Sequence, residues 1–350
     1  YFTKKQRRKQ STMLDLAWIY TLFLMVFSLA SSVIGYLVLG YLPSINDCLN
    51  FCAVGLLLTT ILFFLQSDPL RFNKLFYQSL LVMYIVYFGV ALIEIFTGFH
   101  FPDSVAHIVG WNVPTGFYVN PNDFATIFTL LLLLLLTKFN SKYFWIQFFV
   151  IAFHLGIVFY AGSRISVFVI LLFLFLFRFK RVVKLSFIIL MIGSLFYNTI
   201  EKKINIPHVN LSSILISSND KSGNIRSELY KEALCSVLEN GGMGFGINAA
   251  QTYYESKINR RLGGIVNPHS WILELLINSG VIVLCLFIIL NIYVFYILVR
   301  RGKLEHSAHL IFYTLLLFAS SSSLFLWPIH LLFLVYVGWA ESIIKRLPDA

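Results

Sequence analysis

The sequence predicts an all-α fold, a polytopic integral membrane helical bundle of about ten transmembrane helices with one long extracytoplasmic loop containing an amphipathic helix. Three observations point there. The 350-residue chain is 58% hydrophobic and only 12% charged, about half the charge of an ordinary soluble domain. Apolar runs of about 20 residues, long enough to cross a hydrocarbon core as a helix, recur along it. Its 27 Lys and Arg are shared unevenly between the connections.

Spans are expected at 14–37, 47–65, 75–97, 121–137, 143–161, 164–177, 183–198, 269–299, 307–323 and 324–341. The basic run at 4–9, followed by a full-length span, reads as a retained anchor and not as a cleavable leader. With the amino terminus in the cytoplasm, 18 of the 27 basic residues fall inside. Of the other nine, eight lie in the 198–268 loop and the ninth is Arg164. The connections at 38–46 and 98–120 hold no Lys or Arg. This asymmetry predicts both termini inside and the loop outside. The net charge of +11 therefore reports topology, and nucleic acid is not an expected partner. No internal repeat is visible, so 1–350 reads as a single membrane domain with the loop 198–268 within it.

Two helix starts share a pattern. Asn120-Pro121-Asn122-Asp123 opens the fourth span and Asn267-Pro268-His269-Ser270 the eighth. Asn as N-cap with Pro at the first helical position is good capping chemistry. Exposed amides at such starts also attract anions, so a functional reading stands beside the capping one. Within the loop, 224–239 fits a helix with Ile225, Leu229, Leu234, Val237 and Leu238 mostly on one face, ended by Gly241-Gly242.

Arg164 follows Ala161-Gly162-Ser163 and precedes an apolar run. At membrane depth it must be hydrated, paired or bound to an anion, so it either reaches toward the headgroups or serves as an anion ligand. Arg226 has Tyr230 one turn on and admits the same choice between a surface cation and a ligand. His269, expected at the second position of a helix, meets the positive end of the macrodipole, which favours a neutral ring able to take a proton. The alternative is a histidine that only lines the helix start. Glu274 is a carboxylate inside an apolar run, which suggests a role, and Asn267, Glu274 and Asn278 align along one face. Glu94 is a weaker candidate for the same cavity, while His154 and His330 read as hydrogen-bonded interior residues. Of the scattered Cys48, Cys52, Cys235 and Cys285, the first two read as packing residues, and Cys235, alone in the outer loop, has no evident disulfide partner. Dinucleotide fingerprint, P-loop, metal-ligand cluster and outer-face Ser-His-Asp signature are all missing, so no cofactor is expected.

In chain order, Asn120-Pro121-Asn122-Asp123-Phe124-Ala125, Gly162-Ser163-Arg164, Asn224-Ile225-Arg226, Gly244-Phe245-Gly246, His269-Ser270-Trp271-Ile272-Leu273-Glu274 and Asn278-Ser279-Gly280 resemble the superfamily of O-antigen ligases and Wzy-type polysaccharide polymerases. The resemblance covers roughly 120–290; Ser270 stands where that family commonly has Asn, and Val283 where a second Gly often sits. It implies a GT-C-like bundle in the bacterial cytoplasmic membrane. The implied reaction joins undecaprenyl-pyrophosphate-linked oligosaccharides into a surface polysaccharide at the outer face, inverting and without a metal. Transfer of finished glycan to a lipid, wall or protein acceptor is the alternative within the family. By the same resemblance Arg164 and Arg226 would face the pyrophosphate and His269 would be the base. Glu274 would be a second catalytic group, and Asn120, Asn122, Asp123, Tyr230 and Asn267 would line the substrate. Implied partners are membrane lipids, a chain-length regulator and a flippase. A lipid-linked-sugar transporter is the reading from another class; it predicts related halves and binding charges deep in several spans, and neither is evident in the sequence.

Overall fold

The computed structural model describes residues 12–101, 112–118, 120–137, 144–178, 221–249, 252–253, 270–319 and 327–345. Among these residues the chain is helical. In order come α1 (Thr12–Leu39), α2 (Ile45–Ser67), α3 (Pro69–Thr97), α4 (Pro121–Leu136), α5 (Phe144–Tyr160) and α6 (Arg164–Phe173), which runs on as a π-helical turn over Leu174–Arg178. Then follow α7 (Lys221–Glu239), α8 (Trp271–Ser279), α9 (Val281–Arg300), α10 (Leu304–Ala319) and α11 (Trp327–Lys345). Among the described residues α1, α2, α3 and α9 are long and apolar enough to cross a membrane, and α4, α5, α6, α10 and α11 are shorter apolar helices. The protein is a polytopic helical membrane protein. The expected span at 183–198 lies outside the described residues.

Apolar side chains all round a helix demand apolar surroundings on every side, which protein or lipid can supply. Helix α4 takes the protein solution: Phe124 to Leu136 are buried almost without exception. Helix α11 does the same from Ile329 to Ala340. By contrast α1, α2, α3, α5 and α9 each keep a row of exposed large apolar residues, such as Val33, Phe63, Val82, Phe148 and Ile292, the surface a lipid phase would cover. His154 is buried on α5, hydrogen-bonded to the Tyr84 hydroxyl at 3.2 Å and to Thr129 Oγ1 at 3.4 Å, as an interior histidine must be.

One expected span is built differently. The sequence reads 269–299 as one continuous helix, but the structure splits it at Gly280 into two helices that fold back on each other. The rings of Trp271 and Phe287 are 5.3 Å apart, whereas a straight helix would separate those positions by about 24 Å. Helix α8 is thus a short buried arm that climbs to one end of the bundle, and α9 is the crossing helix that descends from it. Gly280 makes the reversal with φ +87°, a conformation costly for any residue with a Cβ.

Candidate functional site

Helix α8 packs on α1, α7, α9 and α10, and α10 in turn packs on α4. Glu94, near the carboxyl end of α3, is wholly buried and begins the construction. Its Oε2 accepts the amides of Thr115 and Gly116, both at 2.8 Å, and its Oε1 accepts the Thr115 hydroxyl at 3.1 Å. His100 Nδ1 meets the same Oε1 at 3.0 Å. The Tyr87 and Tyr118 hydroxyls are hydrogen-bonded to each other, and burial pushes the Tyr118 phenol well above its usual range, so it stays neutral. The strap 112–118 is thereby lashed to α3 and delivers the chain to Asn120. Glu94, a weak candidate for the substrate cavity in the sequence, has both oxygens engaged in this strap.

Asn120 caps α4 as expected: its Oδ1 accepts the Asn122 amide at 2.9 Å and Pro121 opens the helix. Asn122 and Asp123 follow in the first turn, both half-buried. Asp123 Oδ1 is buried and has no hydrogen-bond partner. On α8, Glu274 is 5% exposed and its Oε2 is in the same condition. The two carboxyls are near enough to interact electrostatically, although 151 positions separate them in the chain. Thr126 Oγ1, one turn beyond Asp123, and Trp271 Nε1, one turn before Glu274, are also buried without partners. At spacing three, each pair shares a helix face. The interior therefore presents a group of unsatisfied polar atoms on α4 and α8, two of them on carboxyls.

Helix α8 starts later than the sequence suggests. Ser270 is its N-cap, with Oγ accepting from the Leu273 amide, and Trp271 is its first residue. The expected cap at Asn267 with Pro268 in the first turn is thus replaced by one three residues on, because Ser caps as well as Asn. His269 and Asn267 themselves lie outside the described residues.

A backbone clasp holds the other end of α8. Helix α7 closes with the paired bonds of a Schellman turn, Gly242 N–H to Val237 O at 2.9 Å and Gly241 N–H to Leu238 O at 3.0 Å. The chain then runs along the end of α8. Phe245 and Gly246 donate to the Ile277 and Asn278 carbonyls at 2.7 and 3.0 Å, and Val281 donates back to Gly242 O at 2.8 Å. A Cβ on Gly244 would lie 2.6 Å from the Asn278 carbonyl, so only glycine permits the approach. Helix α1 closes the clasp: Ser28 and Ser279 share a 2.7 Å hydrogen bond, and Ser32 Oγ accepts the Ile247 amide at 3.1 Å. The sequence reading missed this role of α1, yet its signal was present in Ser28, Ser32 and Gly35, small residues at the spacing used by closely packed membrane helices.

Helix α7 packs Leu229, Ala233 and Val237 on Leu273, Leu276 and Ile277 of α8. Leu234 and Leu238, expected on that buried face, are 48% and 57% exposed; the spacing of four from Leu229 to Val237 selects the packed row. Tyr230 on α7 donates its hydroxyl to the Phe318 carbonyl at 2.8 Å, which ties α7 to α10. Arg226 lies four residues before it, and its side chain is outside the described residues. Arg164 is exposed as the first residue of α6, after a turn in which Ser163 N–H reaches Val158 O at 3.3 Å. The structure puts Asp123 and Glu274 within electrostatic reach of each other and ties Tyr230 to α10; the Arg226 side chain lies outside the described residues.

The sequence profile of the O-Antigen ligase family matches residues 124–288. That stretch begins one residue after Asp123 and takes in Arg164, α7, the chain that runs along the end of α8, α8 itself and the start of α9. A search of the curated proteins finds no match to the chain.

Proposed function

We propose that this chain, which belongs to the superfamily of O-antigen ligases and polymerases through its family domain at 124–288, is a polymerase. It would join polyprenyl-pyrophosphate-linked oligosaccharide repeat units into a surface polysaccharide at the outer face of the bacterial cytoplasmic membrane. The observation that supports the reading is the pair of buried, unsatisfied carboxyl oxygens on Asp123 of α4 and Glu274 of α8, within electrostatic reach of each other. Buried polar atoms without partners are costly. Sugar hydroxyls are donors of the right kind to satisfy such oxygens.

The chemistry follows from the leaving group. A hydroxyl of the acceptor sugar attacks the anomeric carbon of the donor, a new C–O bond forms, and the bond to the lipid pyrophosphate breaks with inversion. The electron pair leaves on the pyrophosphate, where Arg164 and Arg226 would supply charge-assisted hydrogen bonds. The hydroxyl proton would go to His269, with the Glu274 carboxylate on α8 as the alternative base. Asn120 and Asn122 would act as hydrogen-bonding groups near the first turn of α4, and Asn267 near the chain entry to α8. Pyrophosphate departs without requiring a metal or a general acid.

The test is elongation in vitro. Purified protein in lipid bilayers, given only the lipid-linked repeat unit, is expected to produce a ladder of products differing by one repeat. Transfer of a single glycan block to a different acceptor, with no ladder, would make it a ligase. Movement of lipid-linked sugar across the bilayer with no new glycosidic bond would sink the enzyme reading.

A further inference from the structure

Hydroxyl donors answer the oxygens of Asp123 and Glu274 but not their charge. Each carboxyl stands in the first turn of its helix, Asp123 on α4 and Glu274 on α8, where the positive end of the macrodipole stabilises a carboxylate. The two lie within electrostatic reach of each other. Like charges so placed in a buried setting require either a retained proton or a cation. A proton held by either carboxyl would need an acceptor. Among the described residues no hydrogen bond joins the two, and Asp123 Oδ1 and Glu274 Oε2 meet no other group. Nor does a described Lys, Arg or His pair with either carboxyl; His100 is taken by Glu94.

The surroundings suit a cation with several N–H donors. Thr126 Oγ1, one turn beyond Asp123 on the same face, is 1% exposed and also lacks a partner. Tyr118 of the strap lies within electrostatic reach of Asp123. Its hydroxyl is engaged by Tyr87, so what it adds is an aromatic ring, a group that ammonium ions favour. A primary ammonium has one positive charge, three donors and no acceptor. Two carboxyl oxygens and a hydroxyl oxygen are its complement. A sugar hydroxyl offers one donor and leaves the like charges uncompensated.

We propose that the Asp123–Glu274 pair binds a protonated primary amine carried by the glycan repeat unit, such as that of an unacetylated amino sugar. The proposal rests on the polymerase reading, since that reading supplies an oligosaccharide repeat unit as substrate. Bound there, the ammonium offsets the repulsion between the carboxylates, while hydroxyls of the same sugar reach the remaining oxygens. Charge thereby becomes a criterion of selection. N-acetylation removes the positive charge, leaves a single N–H and adds bulk, so an acetylated unit is disfavoured on three counts.

The experiment begins with lipid-linked repeat units collected from host cells deleted for this protein. Half is treated with acetic anhydride in aqueous bicarbonate, which acetylates amines and spares hydroxyls. Mass spectrometry counts the amines, and a native unit without one overturns the proposal. With wild-type protein in lipid bilayers, acetylation is expected to raise KM at least about tenfold, the scale of one hydrogen bond to a charged group. Equal KM for the two forms overturns the proposal. A second measurement needs no turnover: the glycan is released from its lipid, and binding of the native and acetylated forms is followed by saturation-transfer NMR. Wild type should prefer the native form at least about tenfold. Asp123→Asn and Glu274→Gln should each lose most of that preference and bind the acetylated form as wild type does. A preference kept in both variants places the amine elsewhere and overturns the site. No ladder from either form, with amine-dependent binding intact, defeats the polymerase reading and leaves the site standing. A ladder from the acetylated unit at the native KM does the reverse.

Discussion

A carboxyl oxygen buried without a donor costs roughly 1–3 kcal/mol, and Asp123 and Glu274 each hold one. Glu94 shows the contrasting case, with two amides, a hydroxyl and an imidazole around its oxygens. Glu94 organises the strap before α4, whereas Asp123 and Glu274 are the oxygens proposed to accept from sugar hydroxyls. Glu274 was legible as a candidate because a carboxylate in an apolar run is conspicuous. The Glu94 cradle was not, since Thr115, Gly116 and His100 are ordinary connection residues until the chain folds. His269 remains the proposed base. His269→Asn is expected to keep donor binding yet lose about 10²–10⁴ in transfer rate, because an amide cannot take the proton; near wild-type elongation by this variant would shift the role to Glu274. Arg164→Ala and Arg226→Ala should each lower turnover by about 10²–10³, the usual scale for one charge-stabilising donor. Lysine at either position should restore only part of it, lacking the bidentate fork. Elongation rates with a fixed lipid-linked repeat unit check all of these.

At the scale of elements, the α8–α9 hairpin depends on backbone groups far away in the chain. Gly280 combines φ +87° with a hypothetical Cβ only 2.6 Å from the Gly242 carbonyl. Gly280→Ala therefore meets both backbone strain and a clash with main chain that cannot move aside. It is expected to cost about 2–4 kcal/mol and to lower the melting temperature in detergent by several degrees. Gly156→Ala on α5 is the control: nothing lies within 4 Å of its added Cβ, so melting should be unchanged or slightly higher. Equal losses for the two variants would mean that the clasp is not what holds α8. The end of α7 at Gly241-Gly242 was readable from the sequence, because a glycine pair after an amphipathic run is a local stop signal. That its following residues clamp α8 was not, because those bonds join backbone atoms whose sequence neighbours carry no common pattern.

At the scale of the whole molecule, the proposed topology rests on how Lys and Arg are shared between the connections of the sequence. With both termini inside, single cysteines placed within 210–260 should react with an impermeant maleimide on intact cells, and sites within 138–142 only after permeabilisation. The reverse pattern would invert the proposed topology. In the proposed reaction the pyrophosphate leaving group does not call for a metal ion. Elongation is accordingly expected to continue in excess chelator, and complete loss restored by one added divalent cation would count against the mechanism.

By itself the sequence determined that this protein is a helical membrane protein, where most of its helices lie and how several of them begin and end. The reason is local: in hydrocarbon a chain segment must satisfy its own backbone, so an apolar run of sufficient length is a helix, and caps are read within a few residues. The tertiary structure decided that α4 and α11 are enclosed by protein while α1, α2, α3, α5 and α9 keep exposed apolar rows. It also decided that 271–300 turns back on itself at Gly280 and that Asp123 comes within electrostatic reach of Glu274. Lipid and protein interior are equally apolar, so hydropathy does not distinguish the face that meets lipid from the face that meets another helix. The choice is made by close packing of small residues such as Ser28 and Gly244, and by hydrogen bonds between groups that only the assembled bundle brings within reach.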